Sequence, residues 1–242
     1  MSAFNLSRFL EEFSAEAERR GFHSETLWET DAGPIKAYRI EGEGAPAYLS
    51  AGMHGDEPAG PLAALRLLKE GFFQDGRPWF VCPALNPTGL VAGIRENADG
   101  IDLNRDYLTL ETPEIAAHVN WLRTLPAPDL FLSLHEDWES TGFYFYEINA
   151  GEDRPERAQG ILDAVGEWLP PEPQPVIDEH ETRSPGWIYH GTEPDFPDHW
   201  PEAIYIAKAG CPLSFTFETP SSKDIASRVA AHVAAVKRAA IR

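Results

Sequence analysis

Short apolar runs alternate along this chain with stretches of helical periodicity, and that alternation confines it to a layered α/β fold. Strands are predicted over residues 35–40, 47–51, 79–85, 130–134, 143–148, 176–177, 187–189 and 213–217. Between them, Leu6, Phe9, Leu10, Phe13 and Ala17 fall at helical spacing ahead of Gly21, and Pro58 opens a helix through Leu62, Leu65, Leu67 and Leu68 that Gly71 closes. Residues 115–125 and 157–169 read as further helices, and Ile225, Val229, Val233 and Val236 line one face of a last one. Eight prolines between residues 170 and 201 predict a long irregular excursion there. No repeat, low-complexity tract or linker divides the 242 residues, and 43% apolar content is enough for one sizeable core. A single domain over residues 1–242 is therefore expected.

In α/β folds, ligands gather beyond the carboxyl ends of the strands. His54, His135 and Glu218 each stand just past a predicted strand, so the fold class alone draws them toward one another. A hydrolytic zinc site needs three nitrogen or carboxylate ligands and one position left for water. His54 and Glu57, three apart in the glycine-containing loop Gly52-Met53-His54-Gly55-Asp56-Glu57, can turn toward one point, and His135 from a separate strand completes the set. Cys82 and Cys211 each precede a proline inside an apolar run and have no second thiol nearby, so they read as core residues and not as ligands or a disulfide.

Two further blocks sharpen the pattern. One is Arg95-Glu96-Asn97-Ala98-Asp99-Gly100-Ile101-Asp102-Leu103-Asn104-Arg105, and the other is Phe215-Thr216-Phe217-Glu218-Thr219-Pro220. With the His54 to Glu57 loop and Ser133-Leu134-His135, they resemble the zinc carboxypeptidase superfamily, which also contains aspartoacylase, succinylglutamate desuccinylase and murein-peptide amidases. The blocks occur in the family's order and span residues 54 to 218. The resemblance implies a central mixed β-sheet flanked by helices and one zinc ion per chain held by His54, Glu57 and His135. It implies Asp102 as the carboxylate that fixes the ring of His54 and Arg95 as the group that stabilises a developing oxyanion. It further implies Asn104 and Arg105 as the clamp for a substrate carboxylate, and Glu218 as general base.

Each of these residues also has a plainer reading. Asp102 and Asn104 fit a solvated turn after Gly100, and Arg95 and Arg105 could pair with surface acids. An unpaired carboxylate at the end of an apolar strand is costly to bury, which favours a cation near Glu218. His180, His190 and His199 lie in the proline-rich excursion as candidate extra ligands, and are read here as surface or supporting histidines. Digestive members of the family place a substrate-covering tyrosine a short way before the base. Phe196 stands near that place, while Tyr189 and Tyr205 are out of register, so the covering role is unassigned. Glu136 and Asp137 would disfavour an anionic substrate side chain if they face the pocket.

Twenty Lys and Arg against thirty-nine Asp and Glu leave a net charge of −19, which repels phosphate backbones and anionic lipid surfaces. Nucleic acid and membrane are excluded as partners on this reading. Acids interrupt the opening segment and no apolar run approaches spanning length, so a cytoplasmic location is expected. The expected substrate is a small peptide cut beside its free carboxylate, or alternatively an N-acyl amino acid. An inactive zinc- or peptide-binding module would need neither the base Glu218 nor the oxyanion donor Arg95.

Overall fold

The computed structural model describes residues 4–241. Its strands are β1 (His23–Thr30), β2 (Gly33–Ile40), β3 (Ala47–Ala51), β4 (Trp79–Cys82), β5 (Leu130–Asp137), β6 (Tyr144–Asn149), β7 (Val176–Ile177), β8 (His180–Glu181), β9 (Trp187–His190) and β10 (Leu213–Pro220). Its α-helices are α1 (Leu6–Arg19), α2 (Ala59–Lys69), α3 (Pro87–Ala92), α4 (Pro113–Leu122), α5 (Pro155–Val165), α6 (Glu202–Lys208) and α7 (Ile225–Ala239). Eight strands form one sheet in the order β1-β2-β4-β3-β5-β10-β6-β9. The centre, β4-β3-β5-β10, is parallel, whereas β1, β2 and β4 pair antiparallel, as do β10 and β6. This is the mixed sheet flanked by helices expected above.

The two faces bury different helices. Phe9 and Phe13 of α1, Leu65 and Leu68 of α2, Ile161 of α5 and Val236 of α7 form one core with Leu49, Leu132, Phe145 and Phe217 of the sheet. On the opposite face, Ile115 and Val119 of α4 and Ile206 of α6 pack with Tyr48, Phe80 and Phe131. Alternation along the strands sorts these sets: Phe215 and Phe217 face the first core, and Ser214, Thr216 and Glu218 do not. The second face is where the polar residues gather.

Several elements depart from expectation for local reasons. β1 is an edge strand with a mostly exposed surface and no apolar alternation to betray it. β5 and β10 run three residues beyond their predicted ends, because His135, Glu136 and Asp137 stay paired with Glu218, Thr219 and Pro220. The excursion expected to be irregular holds the small β7–β8 hairpin and ends in α6. That hairpin turns on Asp178 and Glu179, both with positive φ, as a tight two-residue turn of matching twist requires. Among the described residues no helix is long and apolar enough to cross a membrane.

Candidate metal centre

The loop carrying His54 and Glu57 is held by close backbone approach. Gly52 leaves β3 at a φ of 66°, and a Cβ on Gly55 would fall 1.8 Å from the carbonyl carbon of Gly89 in α3. Gly55 N–H also donates to the Arg95 carbonyl (3.4 Å), which in turn accepts from the Asn86 side chain (3.2 Å). The ligand loop, α3 and the Arg95 segment are thus one packed unit.

Within it, His54 Nδ1 lies 2.6 Å from Glu57 Oε1, and His135 Nδ1 lies 2.9 Å from Glu57 Oε2 and 3.2 Å from His54 Nδ1. All three side chains are buried. Burial favours a neutral His54 ring, but the Glu57 charge and the Asp102 hydrogen bond outweigh it and push the imidazole up to about 9. Burial would likewise raise the Glu57 carboxyl, yet His54 and His135 hold it well below the usual carboxylate range. Three ligand atoms from buried side chains, all within 4.8 Å of one another, are arranged to meet one cation. Two imidazole nitrogens and a carboxylate suit zinc better than magnesium or calcium, which favour all-oxygen surroundings.

Asp102 is the anchor beside this cluster. Its Oδ1 lies 3.2 Å from His54 Nε2, so a ring protonated there presents its Nδ1 lone pair to the cluster. Its Oδ2 accepts from both Arg95 Nε (3.0 Å) and Nη2 (2.9 Å), which leaves Arg95 Nη1 3.8 Å from Glu57. Asp102 Oδ1 also caps the turn at Leu103–Arg105 by accepting from Asn104 N–H (2.9 Å). One carboxylate therefore positions the histidine, Arg95 and the segment bearing Asn104 and Arg105. The Asn104 Oδ1 accepts from Glu202 N–H (2.9 Å), and the exposed Arg105 reaches the same cleft.

Glu218 stands beside His135 in the parallel β10–β5 register and beside Tyr144 in the antiparallel β10–β6 register. Enclosure raises its carboxyl well above the usual range, with the charges of Glu57, Asp137 and Asp178 adding to this and His135 opposing it. A carboxylate so placed gains most from a nearby dication. His54, Glu57, Arg95, Asn104, Arg105, His135 and Glu218 all line one cleft of about 830 Å³, and Asp102 sits directly behind His54.

No protein-family model matches the chain. Over 107 residues it is 34% identical to Carboxypeptidase SOL1 of Arabidopsis thaliana; the match spans 36% of this chain and 22% of that protein. A candidate metallopeptidase from Shewanella denitrificans superposes with a TM-score of 0.85 at 26% identity, covering 97% of this chain and 89% of that one. A metallo-carboxypeptidase from Burkholderia cenocepacia gives a TM-score of 0.72 at 18% identity, with 98% and 68% covered. Bovine thrombin-activatable fibrinolysis inhibitor gives 0.69 at 15% identity, with 98% and 96% covered. The chain thus has the fold of these metallopeptidase and carboxypeptidase structures.

Within this carboxypeptidase-like fold, several cleft residues escape a reading of the sequence. Tyr144 and Tyr146 point into the cleft from the face of β6 that carries Ile148, while Phe143 and Phe145 face the core. Their hydroxyls donate to Asp137 (3.1 Å) and Asp178 (2.9 Å). The alternation in residues 143–148 held that signal, but which face met Glu218 depends on strand order. Tyr189 donates to the Asn149 carbonyl and Tyr205 packs on Tyr107, so neither lines the cleft, whereas Phe196 stands at its rim.

Of the two acids after His135, only Asp137 turns its carboxylate to a cleft side chain. Glu136 lies on the other face, paired with buried Arg228 and accepting from Ala59 N–H at the start of α2 (2.6 Å). Glu202 was also unforeseen. The Tyr107 hydroxyl lies 2.8 Å from His118 Nδ1, His118 Nε2 lies 2.8 Å from the Tyr48 hydroxyl, and Tyr48 O–H and Ser50 O–H donate to Glu202 (2.9 and 2.7 Å). Burial pushes Glu202 up to about 7 and His118 down to about 3, so the His118 ring is neutral at ordinary pH. It braces Asn104 from behind. His180 and His190 meet Asp195 in a second group of ligand-type side chains, while His199 is exposed and apart from it.

Proposed function

We propose that the chain is a zinc-dependent hydrolase of the metallocarboxypeptidase kind, acting through one catalytic domain over residues 1–242 on an amide bond next to a free carboxylate. The observation that carries this reading is the convergence of His54, Glu57 and His135 on one point with Glu218 in register beside His135. In this reading the three hold a single catalytic zinc ion. When bound, zinc supplies Lewis-acid polarisation of the scissile carbonyl and makes a water molecule acidic at neutral pH.

The chain's own groups do the rest. Asp102 keeps the His54 ring in the orientation that points Nδ1 at the ion. Glu218 takes a proton from the attacking water on its carboxylate and delivers it to the nitrogen of the leaving amine. Arg95, held rigid by its two bonds to Asp102, offers N–H donors to the oxygen on which negative charge develops. Arg105 and Asn104 bind the substrate carboxylate, for which a planar guanidinium has paired donors.

A peptide is favoured over a small N-acyl amino acid by the size and openness of the cleft. It encloses about 830 Å³, and Trp138 and Phe196 on its rim are 77% and 61% exposed. A deacylase of the succinylglutamate desuccinylase or aspartoacylase kind, the alternative, would leave much of that space to water. Assays of zinc-loaded protein on free-acid peptides, their C-terminal amides and N-acyl amino acids separate the readings. Turnover of free-acid peptides alone is expected; equal cleavage of the amides would remove the carboxylate-directed reading, and turnover confined to acyl amino acids would favour the deacylase.

Replacing Arg105 by Ala should raise KM more than it lowers kcat. A hydrogen bond to a charged group contributes about 1.5–3 kcal/mol, so a rise of roughly 10- to 100-fold is expected, with discrimination against the amide blunted. An unchanged KM would take Arg105 out of the site.

A further inference from the structure

We infer that the rim of the cleft carries a second divalent-metal site, formed by His180, His190 and Asp195 and separate from the one at His54. The three come from β8, from the end of β9 and from the loop that follows it, and one ligand atom from each lies within 4.8 Å of the others. His180 Nε2 is 3.4 Å from Asp195 Oδ2, and His190 Nε2 is 3.2 Å from Asp195 Oδ1, so each oxygen of one carboxylate faces an imidazole nitrogen.

The other nitrogen of His190 makes this more than a chance meeting of polar side chains. His190 Nδ1 lies 2.6 Å from its neighbour's carbonyl, Gly191 O, which can only accept, so the ring proton sits on Nδ1. In a neutral ring Nε2 is then a bare lone pair, and it points at a carboxylate oxygen that is also an acceptor. Two acceptors in contact need a positive centre between them, either a second ring proton or a metal ion. Backbone capture of the far imidazole nitrogen is the usual means of presenting a histidine lone pair to a metal. Tyr146 fixes both rings from one side, its centroid 5.6 Å from that of His180 and 6.2 Å from that of His190. The imidazoles are sheltered, at 23% and 13% side-chain exposure, while Asp195 is half exposed and leaves room for water on the ion.

Two imidazoles and a carboxylate again suit zinc or a neighbouring transition metal better than magnesium or calcium. The site is not half of a binuclear centre. β9 lies three strands from β5 in the order β5-β10-β6-β9, which at the usual strand spacing is about 14 Å across the sheet, against about 4 Å between paired catalytic ions. An ion there would tie the proline-rich segment to the sheet edge beside Tyr146. With three ligands at an accessible rim, it should bind more weakly than the buried site.

Zinc titration of chelator-treated protein, read as bound zinc per chain after equilibrium dialysis and by calorimetry, tests this. The unaltered protein is expected to fill in two steps, reaching two ions per chain. Asp195→Asn and His190→Ala should each remove the weaker step and keep the tighter one, and His135→Ala should remove the tighter step and keep the weaker. Protease cleavage within residues 170–200 should slow when zinc fills the weaker step, and this slowing should vanish in Asp195→Asn. Saturation of the unaltered protein at one ion, or survival of the weaker step in Asp195→Asn, would overturn the assignment and leave His190 and Asp195 as a plain ion pair.

Discussion

Glu218→Gln is expected to lower kcat by about 10²-fold or more while zinc content and KM stay close to those of the unaltered protein. Gln has the size of Glu, and the backbone of residue 218 is held on both sides, by His135 of β5 and Tyr144 of β6. The substitution therefore changes the ability to accept and return a proton and little else. A general base works chiefly in the transition state, so the loss belongs in kcat. Single-turnover and steady-state kinetics on the best free-acid peptide, with metal analysis of the same samples, give the answer. A fall of less than about fivefold would mean that the base is another group; loss of zinc would mean that Glu218 helps to hold the ion.

His135→Ala should abolish tight zinc binding and lower thermal stability. A ligand that binds only the folded state stabilises it by about 4 kcal/mol at a thousandfold excess over its Kd. For a chain of this size that is roughly 8–16 °C in Tm. His54→Ala should behave alike, since the two rings meet Glu57 from opposite oxygens. Scanning calorimetry with and without chelator separates the metal contribution from packing, because the gap between variant and unaltered protein should narrow once both are stripped. Full zinc retention by His135→Ala, or an equal loss from His199→Ala, would refute this ligand set.

How much of this was legible in the chain depends on how local each signal is. β3 begins after Pro46 and ends before Gly52, and its bounds match the prediction because turn residues close it at both ends. α3 and α6 escaped because they are short and sit among prolines and glycines, where periodicity has no length in which to show. The loop of His54 and Glu57 and the block from Arg95 to Arg105 could be read because each places several functional groups within a few residues. Their contacts followed: Asp102 meets His54, and Arg95 meets Asp102. Tyr144, Tyr146 and Glu202 could not be read that way. Each enters the cleft through a neighbour distant in sequence, and the pairing of residue 218 with residue 144 exists only once the strand order is known. His180 and His190 stood out in the sequence as candidate extra ligands, but their meeting with Asp195 depends on the fold.

The position of β10 in the sheet has a consequence for how the protein is made. The last strand in the chain lies in the interior of the sheet, wedged between β5 and β6. During synthesis from the N-terminus, β5 (ending at Asp137) and β6 (ending at Asn149) emerge with their facing edges unpaired, and they must wait until Leu213 for the strand that joins them. Those waiting edges are apolar and open to pairing with other chains, and closing them requires contacts far apart in sequence, which form slowly. Because β10 also brings Glu218, an unfinished chain holds all three groups that meet at His54 but lacks the carboxylate beside His135. On the function proposed above, the nascent polypeptide would gain its metal ligands before its base, and the site would be whole only when the sheet is complete.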